Sequence, residues 1–223
     1  MAGDYTRQIP RRGFALAMAA TILMMAAASA PSLFYPQIAE QLGLVPVATT
    51  LVFAVYTFTL LAALLYLGPL SDHIGRRPVV TAGSLALALS LAMFWFADSL
   101  ATLLVARALQ GLAAGLLIPA LSAMMIDFEP PSHPNIAALW NTIGPMIGLG
   151  TGALGAALLL DLTPEPTAAV FGPLVLAFLT VAATVWSTPE LVPKTRIRRG
   201  DLRPRFMAVS YTHLRAHETS LHL

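Results

Sequence analysis

Residues 68–78 read Gly68-Pro69-Leu70-Ser71-Asp72-His73-Ile74-Gly75-Arg76-Arg77-Pro78. Two glycines, two prolines, one carboxylate and two guanidinium groups fall within this short stretch. It interrupts two apolar runs, residues 49–67 and 79–97. Each run is close to the roughly 20 residues that a helix needs to cross a bilayer. Gly68 and Gly75 permit close approach and a tight turn. Asp72 places a carboxylate near a helix end, and Arg76 and Arg77 gather positive charge on one side. The stretch is therefore read as a polar loop between two membrane spans.

Four further apolar runs lie outward from it, at residues 14–34, 100–124, 137–160 and 167–186. Between the six runs stand Pro36 and Pro46, Asp98-Ser99, Pro130-Pro131-Ser132-His133-Pro134, and Pro164 with Pro166. Proline disfavours helical geometry in the residue before it, so these clusters are read as loops. Composition agrees. Hydrophobic residues make up 57% of the 223 and charged residues only 11%, against about 25% charged in a soluble domain. The runs are continuous rather than alternating, which argues against a membrane β-barrel. The absence of cysteine excludes disulfides and thiolate metal sites. Arg7, Arg11 and Arg12 ahead of an apolar run ending in Ala28-Ser29-Ala30 also resemble a cleavable signal peptide. The length of the run, Pro31 after the would-be cut and five later spans favour a retained first span.

The charges orient the bundle. Arg7, Arg11 and Arg12 precede the first span, Arg76 and Arg77 follow the second, and Lys194, Arg196, Arg198, Arg199, Arg203 and Arg205 follow the sixth. The loops after spans one, three and five hold no Lys or Arg; their charges are Glu40, Asp98, Asp161 and Glu165. The positive-inside rule then places both termini in the cytoplasm of an inner or plasma membrane protein. The sequence pI of about 9.3 is thus a topology signal, with anionic headgroups as its natural partner. No nucleic-acid partner is expected.

The 68–78 string resembles the loop between helices two and three of the major facilitator superfamily, roughly G-x-L-[SA]-D-[RK]-x-G-R-[RK]-P. His73 departs from the usual Arg or Lys. The resemblance covers about residues 10–195. It implies an all-α membrane protein whose six transmembrane helices form a 3+3 inverted repeat, half of a twelve-helix fold. It also implies a gating motif of Gly68, Asp72, Gly75, Arg76 and Arg77 that fastens the two halves on the cytoplasmic side. Asp72 would face a helix N-terminus in the other half, and Arg76 would bridge it to Asp127 at the end of span four.

Span four carries Arg107-Ala108-Leu109-Gln110-Gly111, which resembles the family's R-x-x-Q-G motif. Arg107, Gln110 and Gly111 share one helix face. A charge at membrane depth costs at least about 2.5–3.5 kcal/mol on insertion scales. Two readings stand: a functional charge on the transport path, or an arginine that snorkels to the outer interface. In an isolated half, the first reading would expose Arg107 and Asn141 to lipid or force them to find substitute partners. Span five runs Asn141-Thr142-Ile143-Gly144-Pro145-Met146-Ile147-Gly148-Leu149-Gly150-Thr151-Gly152. Gly144, Gly148 and Gly152 recur at spacing four, which suits close helix packing, and Pro145 favours a bend. The string also resembles the superfamily's antiporter motif G-P-x-x-G-G, except that Leu149 displaces the second glycine. Ser187-Thr188-Pro189-Glu190-Leu191 is similar to the Pro-Glu-Thr turn that ends the family's sixth helix, with Leu191 for the threonine.

The expected function is part of a secondary transporter moving a small molecule by alternating access. A drug or metabolite exporter and a sugar or organic-ion importer both stay open. Path candidates are Arg107, Gln110, Gly111 and Asn141, with Tyr35 and Tyr56 beside them. A membrane-embedded enzyme would need a Ser–His pair, paired aspartates or a metal cluster inside the spans; no span contains histidine. A six-helix scaffold subunit is the remaining alternative. No cofactor and no metal are implied. Residues 1–193 would be the N-terminal transporter half and 194–208 the start of a basic cytoplasmic linker. The missing partner is the C-terminal six-helix half. Val209-Ser210-Tyr211-Thr212-His213-Leu214-Arg215-Ala216-His217-Glu218-Thr219 resembles no part of the family. It reads as the translation of a transposon-based sequencing adapter, so residues 209–223 are expected to be non-native.

Overall fold

Proline opens several helices here rather than only separating them. The computed structural model of the chain describes residues 2–191; the expected linker and adapter-derived tail lie outside the described residues. α1 (Ala2–Ser29) passes through a 3-10 turn at Ala30–Leu33, which holds Pro31, into the short α2 (Tyr35–Gln41). α3 (Pro46–Leu67) and α8 (Pro166–Thr184) each begin on a proline. A first-turn N–H has no intrahelical acceptor, so proline gives up nothing there. Between them come α4 (Leu70–Ile74), α5 (Arg76–Trp95), α6 (Leu100–Asp127) and α7 (Ile136–Leu162). Among the described residues there is no strand.

Six helices are long and apolar enough to cross a membrane: α1 from Arg12 onward, α3, α5, α6, α7 and α8. They match the six sequence-derived spans. Pro119, Pro145 and Pro173 lie inside α6, α7 and α8, so these helices continue through them. Membrane helices tolerate this because neighbouring groups satisfy the freed carbonyls. α6 and α7 run 28 and 27 residues, longer than the hydrocarbon core requires. The added turns carry Asp127 to the end of the bundle that holds residues 68–78.

The first three spans (α1, α3, α5) and the last three (α6, α7, α8) pack across each other. α3 lies along α6, and α7 lies along α1. Exchanging first for fourth and second for fifth maps one pair onto the other, and an odd number of spans per triplet inverts the second triplet. This is the 3+3 repeat. Lipid tails supply no hydrophobic drive for helix pairing, so close backbone approach matters instead. Accordingly Ala17, Ala20 and Ala27 on α1, and Ala106, Ala113 and Ala120 on α6, are fully buried. α5 and α6 form the interior. α3 and α7 are the most exposed spans, turning out Phe58, Met146 and Leu154, each about two-thirds exposed or more.

Candidate functional site

The loop motif folds into α4 and the start of α5. Gly75 separates the two helices with a φ of +101°, a backbone region that strongly favours glycine. This turn brings Arg76 back over α4. Its Nη1 donates to Asp72 Oδ1, and to Ser71 Oγ at 2.8 Å. Its Nε donates to Asp127 Oδ2 at 3.0 Å. Arg76 therefore spans a carboxylate on α4 and another at the end of α6. The arginine side chain is 13% exposed, Asp127 26% and Asp72 61%. A pair that open to solvent stabilises the fold by about 1 kcal/mol at most. Asp72 thus keeps a free carboxylate edge for a further partner. His73 Nδ1 lies 2.9 Å from the Pro69 carbonyl oxygen, to which it donates as the Nδ1–H form. Gly68 ends α3.

Glu190, seen in the sequence only as part of a weak turn motif, belongs to the same cluster. Its Oε1 accepts from the backbone N–H of Arg76 and its Oε2 from that of Arg77, both at 3.0 Å. A carboxylate thus caps the first turn of α5, where unpaired amides and the helix dipole favour negative charge. Glu129 does the same for α7, accepting from the Ala137 N–H at 2.9 Å. The available signal for both was a glutamate placed two or three residues past the end of a helical segment.

Arg107 lies elsewhere, and of its expected settings the outward snorkel is not the one found. It is 2% exposed within these six helices alone, so it neither snorkels outward nor lies on an uncovered face. Its Nε donates to Tyr35 Oη and its Nη1 to Gln110 Oε1, while Gln110 Nε2 donates to the Ala27 carbonyl at 2.9 Å. The rings of Tyr35, Phe94, Phe53 and Tyr56 lie 4.9, 5.1, 5.5 and 5.5 Å from its Cζ. Ring faces attract a desolvated guanidinium. The break after α1 makes this possible by turning Tyr35 inward. Of the Arg107 guanidinium nitrogens, Nη2 is buried without an acceptor among the described residues, as are Arg77 Nε and Ser84 Oγ elsewhere. Gly111 faces α3, where an added Cβ would come within 2.1 Å of Thr59 Oγ1 and 2.5 Å of the Tyr56 carbonyl. Arg107, Gln110 and Gly111 are thus packed into the junction of α1, α3, α5 and α6.

Asn141 is partly exposed, 3.4 Å from the Ser122 carbonyl, in a small cavity of about 100 Å³ that Thr21, Ser122 and Pro145 also line. The structure does not bring it together with Arg107. On α7, Gly148 and Gly152 meet α1: an added Cβ would lie 2.4 Å from the Ile22 and Ala26 carbonyls respectively. Gly144 has no atom closer than 3.9 Å. Among the described residues, no three His, Cys, Asp or Glu side chains are grouped to hold a metal.

The helical inversion and the charged loop are accompanied by direct likeness to known transporters. The family model for the Major Facilitator Superfamily matches residues 17–218, and the chain belongs to that family of membrane transporters. It is 32% identical over 219 residues to the multidrug efflux pump LfrA of Mycolicibacterium smegmatis, covering 82% of this chain and 42% of that one. It is 29% identical over 152 residues to the puromycin resistance protein pur8 of Streptomyces alboniger, covering 65% and 30%. The multidrug resistance protein MdtL of a Shewanella species is 30% identical over 145 residues, covering 63% and 36%. The chain spans less than half the length of these relatives.

Proposed function

We propose that residues 1–193 form the N-terminal half of an alternating-access transporter that exports drugs or related small molecules, with both termini cytoplasmic. Residues 194–208 would begin the linker to the second half, and 209–223 would be foreign to it. The observation that carries this reading is Arg76 held between Asp72 and Asp127, with Asp72 left largely open. A carboxylate so placed is available to the N-terminus of a helix in the second half. Forming and breaking that contact would close and open the cytoplasmic side. Export is favoured by relatives whose names are those of drug efflux and resistance proteins. The tightly packed Arg107 would serve as a structural hub beside the path, with Asn141 the more accessible polar group.

Two measurements test this. In a complete transporter, Asp72→Asn is expected to reduce drug efflux by tenfold or more and Asp127→Asn by a smaller factor. Asp72 would lose both the arginine and the helix end, whereas Asp127 would lose the arginine alone. Equal losses would sink the proposed division of labour. The chain lacks cysteine, so single cysteines report topology without a background. Cysteines at Gln41 and Thr163 are expected to react with an impermeant thiol reagent in intact cells, and one at Thr195 only after lysis. The reverse pattern would overturn the orientation.

A further inference from the structure

We infer that Glu190 is the positioning residue of the cytoplasmic gate, and that through it the chain leaving span six holds the gate in register. This rests on the gating reading of Asp72, Arg76 and Asp127. The geometry is two-pronged. Each oxygen of one carboxylate takes one of two successive amides, those of Arg76 and Arg77. Successive amides at a helix start diverge slightly, so a carboxylate that takes both fixes the orientation of the first turn as well as its position. The residue so fixed is the one whose guanidinium spans Asp72 and Asp127.

Gly75 shows that this seat is tight. A Cβ there would lie 2.6 Å from Glu190 Oε2 and 2.8 Å from its Cδ. The carboxylate therefore occupies the space a side chain would take, at a residue whose φ of +101° already favours glycine. Two features of the loop motif, the glycine and the arginine after it, are thus explained by a residue more than a hundred positions away in sequence. Glu190 itself is placed by the 3-10 turn Val185–Ser187 and by Thr188, which is buried and donates from Oγ1 to the Val185 carbonyl at 2.7 Å. Displacement of the chain beyond Glu190 would pull on the α5 start, and so on the arginine. Rearrangement of the arginine would move the start of the linker in return.

The test has two arms. In this chain, Glu190→Ala is expected to speed amide exchange at Arg76 and Arg77 by roughly two- to thirtyfold, as loss of a helix cap does. Glu190→Gln, which keeps one acceptor, should fall between. In the complete transporter, efflux is measured for Arg76→Ala, Glu190→Ala and the double variant. Action through Arg76 makes the double no worse than Arg76→Ala alone. Unchanged exchange in Glu190→Ala, or losses that multiply in the double variant, would overturn the inference and leave the gate standing. A silent Arg76→Ala would instead overturn the gate, and this inference with it.

Discussion

Reconstituted alone in liposomes, residues 1–206 are expected to carry no labelled solute, while the complete transporter carries drugs saturably under the same conditions. Alternating access in this fold rocks one six-helix half against another around a site at their interface. On the proposed reading, residues 1–206 would supply one wall. α3 and α7, exchanged by the internal repeat, are also the spans whose surfaces are least covered. In that short form Phe58 on α3 and Met146 on α7, both exposed, would face lipid or a second copy. Asp72 would lack the helix end proposed for it. The loss is expected to be complete rather than graded, because neither a second wall nor a counter-gate exists. Saturable uptake or efflux by the short form, above that of empty liposomes, would show that these six helices transport without a second half.

Gly148→Ala and Gly152→Ala are each expected to destabilise the bundle by about 1–3 kcal/mol, the usual cost of forcing a group into a packed site. At both positions the new Cβ meets α1 backbone 2.4 Å away, which cannot move aside as a flexible side chain can. The same helix contains its own control. Gly150 has nothing within 4 Å of its added Cβ, so Gly150→Ala should be neutral, or stabilising by up to about 1 kcal/mol through helix propensity. Thermal unfolding in detergent, followed by circular dichroism or tryptophan fluorescence, separates the cases. A Gly150→Ala variant as unstable as Gly148→Ala would refute the placement of α7 on α1.

Hydropathy and proline placement made the six spans legible because bilayer thickness imposes a minimum length on all of them. The inverted pairing was not readable from composition; it entered through the likeness of residues 68–78 to a family. Within the site, the Asp72–Arg76 pair follows from a spacing of four. Glu190 does not, since no local pattern links it to a helix start 114 positions earlier. Spacing also placed Arg107, Gln110 and Gly111 on one face without saying what that face meets. An arginine beside alanine and glycine suits a path wall as well as a helix junction. The inward turn of Tyr35 and the rings of Phe53, Tyr56 and Phe94 that enclose Arg107 had no sequence signal. Likewise a glycine repeat of four marks a helix face, but the crossing point of α1 decides that Gly148 and Gly152 make backbone contact while Gly144 stands off.

The enclosure of Arg107 bears on how such a protein can be made. Its ring neighbours and hydrogen-bond partners, Tyr35, Phe53, Tyr56, Phe94 and Gln110, and the Ala27 carbonyl behind Gln110, all come from residues 27–110. Synthesis runs from the N-terminus, and domains tend to fold as units as they emerge. Once the fourth helix has entered the bilayer, Arg107 already has these surroundings complete. The nascent chain then need not hold an unsheltered charge in lipid while the remaining helices are translated.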